Sequence, residues 1–202
     1  MPIDPVATLL FTAAAVMLLG SPGPAIAALV AVGRRQGLVG GLRFYGGLQA
    51  GLAVAAGASA LGLASVIAAF PVAVIAMTAV AAAYLVYLSY RIATAPVGPG
   101  ASAAGSGFAA TPLGGFLLGL SNPKSYVAFL ALMGSSSIVP ASAFSDAALK
   151  WTLCVLVMVV VDVAWLWLGV IVQKANLRPR TERALNMVMG GTILLTTGLA
   201  FL

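Results

Sequence analysis

The chain has 202 residues, of which 62% are hydrophobic and only 7% are charged, with a formal net charge of +6. A soluble domain carries charge on about a quarter of its residues, so this composition excludes an ordinary soluble protein and predicts an integral membrane protein. The sequence has no histidine and one cysteine, which excludes histidine-based metal sites, paired-thiol redox chemistry and an internal disulfide.

Six stretches of the chain are apolar over about 20 residues or more, the length that a helix needs to cross a membrane. They cover residues 6–32, 42–69, 71–93, 113–134, 147–173 and 184–202. The first begins without a basic region before it, so we expect no cleavable signal peptide. The uncharged stretch 94–112, rich in Ala, Gly, Ser and Pro, is typical of a flexible linker. We therefore predict one all-α transmembrane transporter domain, residues 1–202, with six spans.

Helix-breaking residues interrupt the first and fourth stretches at similar positions. Proline and glycine free backbone N–H and C=O groups there, and such groups persist in a membrane only where they face protein or a watery cavity. Two interrupted helices in corresponding halves indicate the binding site of a transporter. The residues of the breaks are therefore candidates for substrate binding: Ser21, Pro22, Gly23 and Pro24 in the first, and Ser121, Asn122, Pro123 and Lys124 in the second.

The two halves of the chain share one plan, an interrupted helix followed by two more spans. Because three is odd, a repeated three-helix unit must lie inverted relative to its twin. We predict inverted repeats over about residues 6–93 and 113–202. Small residues at four-residue spacing, Gly47 and Gly51 in one half and Gly115 and Gly119 in the other, predict close helix packing. The same role is expected for Gly57, Gly62, Gly190, Gly191 and Gly198.

Basic residues collect on one side of the predicted membrane. Only Lys150 falls on the other side, and Lys124 lies inside the membrane. The positive-inside rule places the basic side in the cytoplasm and both termini outside it. The net positive charge thus reflects membrane orientation, and no nucleic-acid partner is predicted. The residues on the basic side are Arg34, Arg35, Arg43, Arg91, Lys174, Arg178, Arg180 and Arg183.

Two charged residues lie at membrane depth, where each charge costs about 2.5–3.5 kcal/mol on insertion scales and so needs a reason. Lys124 follows the second break, and Asp162 lies midway along the fifth span. They fit a buried ion pair that fixes helix register. They equally fit a site in which Lys124 attracts an anionic substrate group and Asp162 takes up a cation, an amine or a proton. A carboxylate in dry surroundings binds a proton more readily, as proton coupling requires.

A zwitterionic amino acid would suit two facing breaks, because freed amides at a helix start attract a carboxylate and freed carbonyls hold an ammonium group. Asn122, Gln49, Tyr45 and Tyr126 would supply neutral hydrogen bonds, although both tyrosines fit interfacial anchors equally well. The spacing of the serine and lysine at the second break also matches the Ser-x-x-Lys pattern of some acyl-transfer enzymes. The companion motifs are missing from the sequence, so no enzyme is predicted.

Several motifs along the chain resemble those of the LysE/RhtB family of amino-acid exporters. In the first half these are Ser21-Pro22-Gly23-Pro24, Arg34-Arg35-Gln36-Gly37 and Gly40-Gly41-Leu42. In the second half they are the run from Gly115 to Lys124, then Leu185-Asn186, Gly190-Gly191 and Gly198-Leu199. The likeness covers nearly the whole chain in order.

This resemblance implies export of amino acids or close derivatives across a bacterial inner membrane, driven by proton exchange. Carried over by position, the matching site residues are Pro22, Gly23, Pro24, Asn122, Pro123, Lys124 and Asp162. Family members often carry an acidic residue directly after the Gly-x-x-x-Gly of the second span, where this chain has Leu52. If that carboxylate binds protons or amines in the family, Asp162 is the proton-coupling residue of this chain without its help. A neutral amino acid is then favoured over a cationic one as the substrate.

Other functions compete with this interpretation. Export of a different small solute stays open, although the lack of histidine and of paired cysteine disfavours soft or borderline metal ions. A thiol–disulfide carrier needs two cysteines, and the chain has only Cys154. A non-transporting scaffold would need neither two breaks nor two intramembrane charges. We therefore predict a secondary transporter without cofactor or metal, whose partners are an amino acid, the lipid bilayer and a second copy in a homodimer.

Overall fold

The computed structural model describes residues 3–62, 71–97, 111–175 and 178–199. Within these ranges the chain forms seven α-helices and no β-strand, which confirms the all-α prediction. Most of the predicted linker and the ends of the second and sixth predicted spans lie outside the described residues. The helices are α1 (Pro5–Gly20), α2 (Pro24–Ala60), α3 (Pro71–Ala93), α4 (Pro112–Ser121), α5 (Pro123–Met133), α6 (Ala143–Lys174) and α7 (Pro179–Leu199).

Both predicted helix breaks are present. α1 ends at Gly20 and α2 begins at Pro24, so residues 21–23 interrupt the first span. α4 ends at Ser121 and α5 begins at Pro123, with a bend of 53° between the two helices. Each new helix starts on a proline, which has no N–H to donate and a fixed φ suited to the first helical position. The two interruptions thus follow directly from proline chemistry.

α2 consists of two helical segments that meet at Gly37, whose φ of 66° lies in the left-handed region. A residue with a Cβ rarely adopts this conformation, so the turn favours glycine. Ile26 and Leu52 line the same cavity, although a straight helix would hold them about 39 Å apart. α2 therefore folds back at Gly37, at the place where the sequence predicts the connection between the first two spans.

Among the described residues, α2 and α6 are long and apolar enough to cross a membrane, and the bent pair α4–α5 forms a third candidate span. α1 has only 16 residues and reaches its full predicted length through the first segment of α2. Length and composition support these spans. The arrangement of six spans in two inverted repeats stays a prediction.

The two Gly-x-x-x-Gly motifs pack against each other where α2 crosses α4. A Cβ built on Gly51 would meet the Phe116 carbonyl oxygen, and one built on Gly119 would lie 2.5 Å from the Leu48 carbonyl oxygen. Gly47 and Gly115 face backbone carbonyls across the same crossing. The absence of side chains lets the two backbones touch, as in other membrane helix pairs. The predicted packing role of these four glycines is confirmed.

The other glycines divide into two groups. Gly190 packs on α3, where a Cβ would lie 2.9 Å from the Ser89 carbonyl oxygen, and Gly57 faces the Trp151 indole of α6. Within the described part of the chain, nothing lies within 4 Å of a Cβ built on Gly62, Gly191 or Gly198, so a packing role for these three stays a prediction. Gly62 adopts a φ of 71° just after α2, the conformation that commonly ends a helix.

A buried ion pair anchors the loop between α5 and α6. Lys150, which is 2% exposed, lies 3.0 Å from the Asp146 carboxylate one turn earlier on α6. Its Nζ also donates to the carbonyls of Met133 and Ser135, and the Asp146 carboxylate accepts hydrogen bonds from two backbone N–H groups of the loop. The pair therefore holds residues 134–142 against the start of α6.

Replacing Lys150 with methionine is expected to lower the free energy of unfolding by about 2–4 kcal/mol, because the partly buried Asp146 carboxylate loses its partner and the carbonyls of Met133 and Ser135 lose their donor. Adding Asp146→Asn should restore part of this loss, since the uncompensated charge is then gone. Thermal unfolding in detergent measures both variants. A Lys150→Met protein that melts at the wild-type temperature would contradict the anchoring role.

Arg34 joins the first half of the chain to the last helix. This residue is 7% exposed, its Nη2 donates to the Asn186 side-chain oxygen, and its Nη1 lies 4.0 Å from a Glu182 carboxylate oxygen. Nearby, the Arg183 guanidinium donates to the Ala93 carbonyl at the end of α3. These contacts tie α2, α3 and α7 together at the end that the positive-inside rule assigns to the cytoplasm.

Candidate functional site

The two helix breaks lie side by side and enclose a small cavity. Ser21 and Gly23 line it from the first break, and Asn122 and Lys124 line it from the second. Lys124 crosses between the breaks, and its Nζ donates a hydrogen bond to the Ser21 carbonyl. The sequence suggested two facing breaks, and the fold brings them together.

The rest of the cavity wall is mostly apolar and comes from α1, both segments of α2, α5 and α6. The space inside that admits a water-sized molecule is about 20 Å³, room for about one water. The described state therefore cannot hold an amino acid, and a state that binds one must be wider. The remaining lining residues are Leu18, Leu19, Ala25, Ile26, Leu52, Ser125, Ala128, Met158 and Asp162.

Two helix starts border this cavity without a side-chain cap. The N-cap residues of α2 and α5, Gly23 and Asn122, make no side-chain capping hydrogen bond. By contrast, Asp4, Thr111 and Ser142 cap the starts of α1, α4 and α6 through their side chains. The first N–H groups of a helix usually have no partner within the helix, although the Ser125 N–H of α5 donates to the Asn122 carbonyl. The remaining first N–H groups of α2 and α5 favour a carboxylate or another anion at the two breaks.

The end of α1 presents carbonyl oxygens, which receive donors from several elements. The Trp165 indole of α6 donates to the Gly20 carbonyl at 3.3 Å, and the Ser21 hydroxyl donates back to the Leu18 carbonyl at 2.9 Å. The Lys124 ammonium donates a hydrogen bond to the Ser21 carbonyl. Because hydrocarbon cannot satisfy these oxygens, the protein supplies the donors itself. The end of α1 thus acts as an acceptor surface for cations and N–H groups.

Among the described residues, Asp162 is the one carboxylate that lines the cavity, and it is only 3% exposed. Its Oδ2 accepts a hydrogen bond of 2.7 Å from Gln49 Nε2, and Gln49 also donates to the Met158 carbonyl at 3.4 Å. Within the part of the chain that the structure describes, two buried amide oxygens, Gln49 Oε1 and Asn122 Oδ1, have no hydrogen-bond partner. Buried polar atoms are nearly always paired, so these oxygens are acceptors for a donor that enters the cavity.

Lys124 and Asp162 share the cavity without direct contact. Of the described residues, these two form no ion pair within 4.0 Å, since Lys124 binds the Ser21 carbonyl and Asp162 binds Gln49. The register-fixing ion pair that the sequence left open is therefore not formed in this state. The two opposite charges can therefore bind the negative and the positive group of one substrate molecule.

Several sequence candidates lie at the breaks without lining the cavity. Pro22 is exposed, and Pro24 and Pro123 begin α2 and α5. The Ser121 hydroxyl donates back to its own helix, and Tyr126 packs against the hydrophobic core.

Two further candidates, Gln49 and Tyr45, form hydrogen bonds to α6. Gln49 contacts Asp162 as described above, and the Tyr45 hydroxyl donates to the Val159 carbonyl of the same helix at 3.2 Å. Tyr45 therefore bridges α2 and α6 and contributes no side chain to the cavity lining.

The apolar lining residues were not predicted from the sequence, and neither were three residues with a clear place at the site. Ser125 lines the cavity from the first turn of α5, Met158 lines it from α6, and Trp165 binds the end of α1. Met158 and Trp165 lie four residues before and three residues after Asp162, so all three share one helix face. The spacing from Asp162 was the one sequence feature that could have identified them. It was not sufficient, because α6 is apolar on every side and the sequence does not show which face points inward.

A sequence model of the LysE type translocator family matches residues 16–202, nearly the whole chain. This match confirms the family resemblance that the two breaks and the flanking motifs indicated. No curated protein and no solved structure shows significant similarity to the chain.

Proposed function

Because the chain belongs to the LysE type translocator family, we propose that it exports amino acids or close derivatives across the bacterial inner membrane in exchange for protons. The family consists of multi-pass membrane transporters, not enzymes, and implies a small-molecule substrate. One observation carries the finer proposal. Two uncapped helix starts, one carboxylate and one ammonium group face the same buried cavity.

The carboxylate of an amino acid fits the open starts of α2 and α5. Each start carries about half a positive charge from its helix dipole, and the Lys124 ammonium adds a full charge beside them. Ala25 and Ser125, in the first turns of the two helices, line the cavity at this side. A carboxylate bound here would gain charge-assisted hydrogen bonds in surroundings that exclude water.

The amino group fits the acceptors that line the cavity. Asp162 supplies a negative charge, and the unpaired Asn122 Oδ1 supplies a neutral acceptor. An ammonium group carries three donors and can satisfy both together with a backbone carbonyl. When no substrate is present, a proton on Asp162 would remove the same buried charge. Substrate and proton then compete for one carboxylate, which is the requirement for exchange of one against the other.

The apolar wall favours a neutral side chain. Ile26, Leu52 and Met158 line the cavity with no second carboxylate beside them. A cationic side chain would enter this wall without a counter-charge, at a high cost. We therefore propose neutral amino acids as the substrate class of the transporter.

Replacing Leu52 with aspartate should shift this preference. Leu52 is 3% exposed and lies at the position where family members often carry an acid. A second carboxylate there would pair with a cationic side chain, and we expect lysine to compete about tenfold better relative to leucine, a change of about 1.4 kcal/mol. Competition in radiolabelled uptake measures the ratio. Leu52→Asn, which adds polarity without charge, should leave it unchanged; an equal shift in both variants would contradict the charge argument.

Analogue competition in proteoliposomes tests the proposed function. An unlabelled amino acid should inhibit labelled uptake, whereas the matching amine without its carboxylate and the matching acid without its amino group should inhibit at least about tenfold less. That result requires a site that binds both the carboxylate and the ammonium group of an amino acid. Equal inhibition by one single-ended analogue would point to a different solute. No uptake of any amino acid by folded protein would remove the substrate class.

A further inference from the structure

We propose that the Lys124 ammonium is a built-in substitute for the amino group of the substrate, and that it fills the acceptors of the empty cavity so that the transporter can return without cargo. This inference rests on the proposed function, and it concerns the step in which no amino acid is bound.

Lys124 is held in this state as a bound cation. Its ammonium donates to the Ser21 carbonyl at the C-terminal end of α1, where the helix dipole favours positive charge. Its stem lies against Gly23, since a Cβ built there would be 2.7 Å from Lys124 Cδ. The ammonium is directed at a neutral carbonyl and not at Asp162, the carboxylate in the same cavity. Lys124 thus occupies an acceptor position that belongs to the first break.

The cavity has little free space and contains a buried acceptor without a partner among the described residues. Asn122 is 2% exposed, and its Oδ1 has no partner although the residue lines the cavity. The free space of about 20 Å³ holds about one water, and the carbonyl of Ser21, which lines it, is already bound by the Lys124 ammonium. A substrate ammonium that binds this carbonyl would displace Lys124. The substrate ammonium and the Lys124 ammonium therefore compete for one place.

This competition assigns Lys124 different roles in the two halves of a transport cycle. In the loaded transporter the substrate ammonium takes the acceptors, and Lys124 is released toward the substrate carboxylate. In the empty transporter a proton neutralises Asp162 and the Lys124 ammonium binds the Ser21 carbonyl, so the cavity closes without a buried negative charge and with that carbonyl paired. Lys124 is then essential for the empty return. It is dispensable for exchange of one amino acid against another, in which substrate fills the cavity in both directions.

Proteoliposomes that contain Lys124→Ala separate these two modes. Net uptake driven by a pH gradient should fall at least about tenfold more than counterflow exchange against saturating unlabelled amino acid. Propylammonium, the fragment that the substitution removes, should restore net uptake when it is added to the buffer. Lys174→Ala, at the exposed end of α6, should keep the wild-type ratio of net uptake to exchange. Lys124→Met, which keeps most of the stem, replaces the alanine variant if that protein does not fold.

A fall of net uptake and exchange by the same factor would overturn the inference, because Lys124 would then act only in binding or in structure. Unchanged net uptake in a folded variant would overturn it as well. Wild-type protein that moves no amino acid in either mode would refute the proposed function itself, and this outcome is seen before any variant is compared.

Discussion

Asp162→Asn is expected to reduce gradient-driven amino-acid transport by at least about 100-fold, a loss of about 2.7 kcal/mol. The asparagine side chain has the shape of the carboxylate, and its oxygen can still accept the hydrogen bond from Gln49 Nε2 that Asp162 accepts at 2.7 Å. The helix packing should therefore survive. Asparagine neither binds a proton nor attracts an ammonium group, so both the coupling and the amino-group contact are lost. Uptake into proteoliposomes with an imposed pH gradient measures the loss.

The matched control is Asp4→Asn, which makes the same chemical change outside the cavity. Asp4 caps the start of α1 through its side chain, and asparagine is an equally good N-cap. Transport by this variant should stay within about twofold of wild type, because a cap of similar strength remains. Asp162→Asn protein that elutes as a single species and transports at the wild-type rate would show that Asp162 is a structural residue and not a coupling one.

Gly47→Ala is expected to destabilise the protein by about 2–4 kcal/mol, since overpacking a tight contact forces backbone shifts. A Cβ on Gly47 would collide with the Pro112 carbonyl oxygen, which belongs to backbone and cannot swing aside. The crossing of α2 and α4 lies next to Leu52 and Asn122 of the cavity, so a forced separation should also open the site. The thermal unfolding midpoint in detergent and the yield of monodisperse protein measure the effect.

Gly46→Ala is an unusually close control, because the two glycines are neighbours on α2. Nothing in the described structure lies within 4 Å of a Cβ on Gly46, which faces outward. Alanine is favoured over glycine in a helix by up to about 1 kcal/mol, so this variant should be as stable as wild type or slightly more stable. If Gly47→Ala melts at the same temperature as Gly46→Ala, the helices do not cross as described.

The parts of this structure that the sequence predicts are those in which one residue type leaves the backbone few choices. Pro24 and Pro123 end one helix and start another because proline lacks an N–H, and both breaks were predicted for that reason. Gly51 and Gly119 could be assigned to a helix crossing because only small residues allow backbones to touch. Lys124 and Asp162 stood out because a charge in a membrane is costly.

The rest depends on three-dimensional packing that no local pattern encodes. Trp165 and Met158 flank Asp162 on one face of α6, but a helix that is apolar all round gives no sign of which face turns inward. Gly62, Gly191 and Gly198 have the same residue type as the packing glycines, yet the described structure places nothing against them. Spacing alone cannot separate the two groups, since the partner helix decides which glycines matter.

Exchange of amino acids against protons is tested directly by measuring proton movement that is driven by an amino-acid gradient. Wild-type proteoliposomes carry a pH-sensitive dye and a neutral amino acid inside, and they are diluted into amino-acid-free buffer with no imposed pH difference. We expect the interior to acidify as the amino acid leaves, because a proton enters in exchange, and we expect no change with an amino acid that is not transported. Amino acid that leaves without acidification, or an interior pH that shifts regardless of the amino acid, would contradict exchange of amino acids against protons.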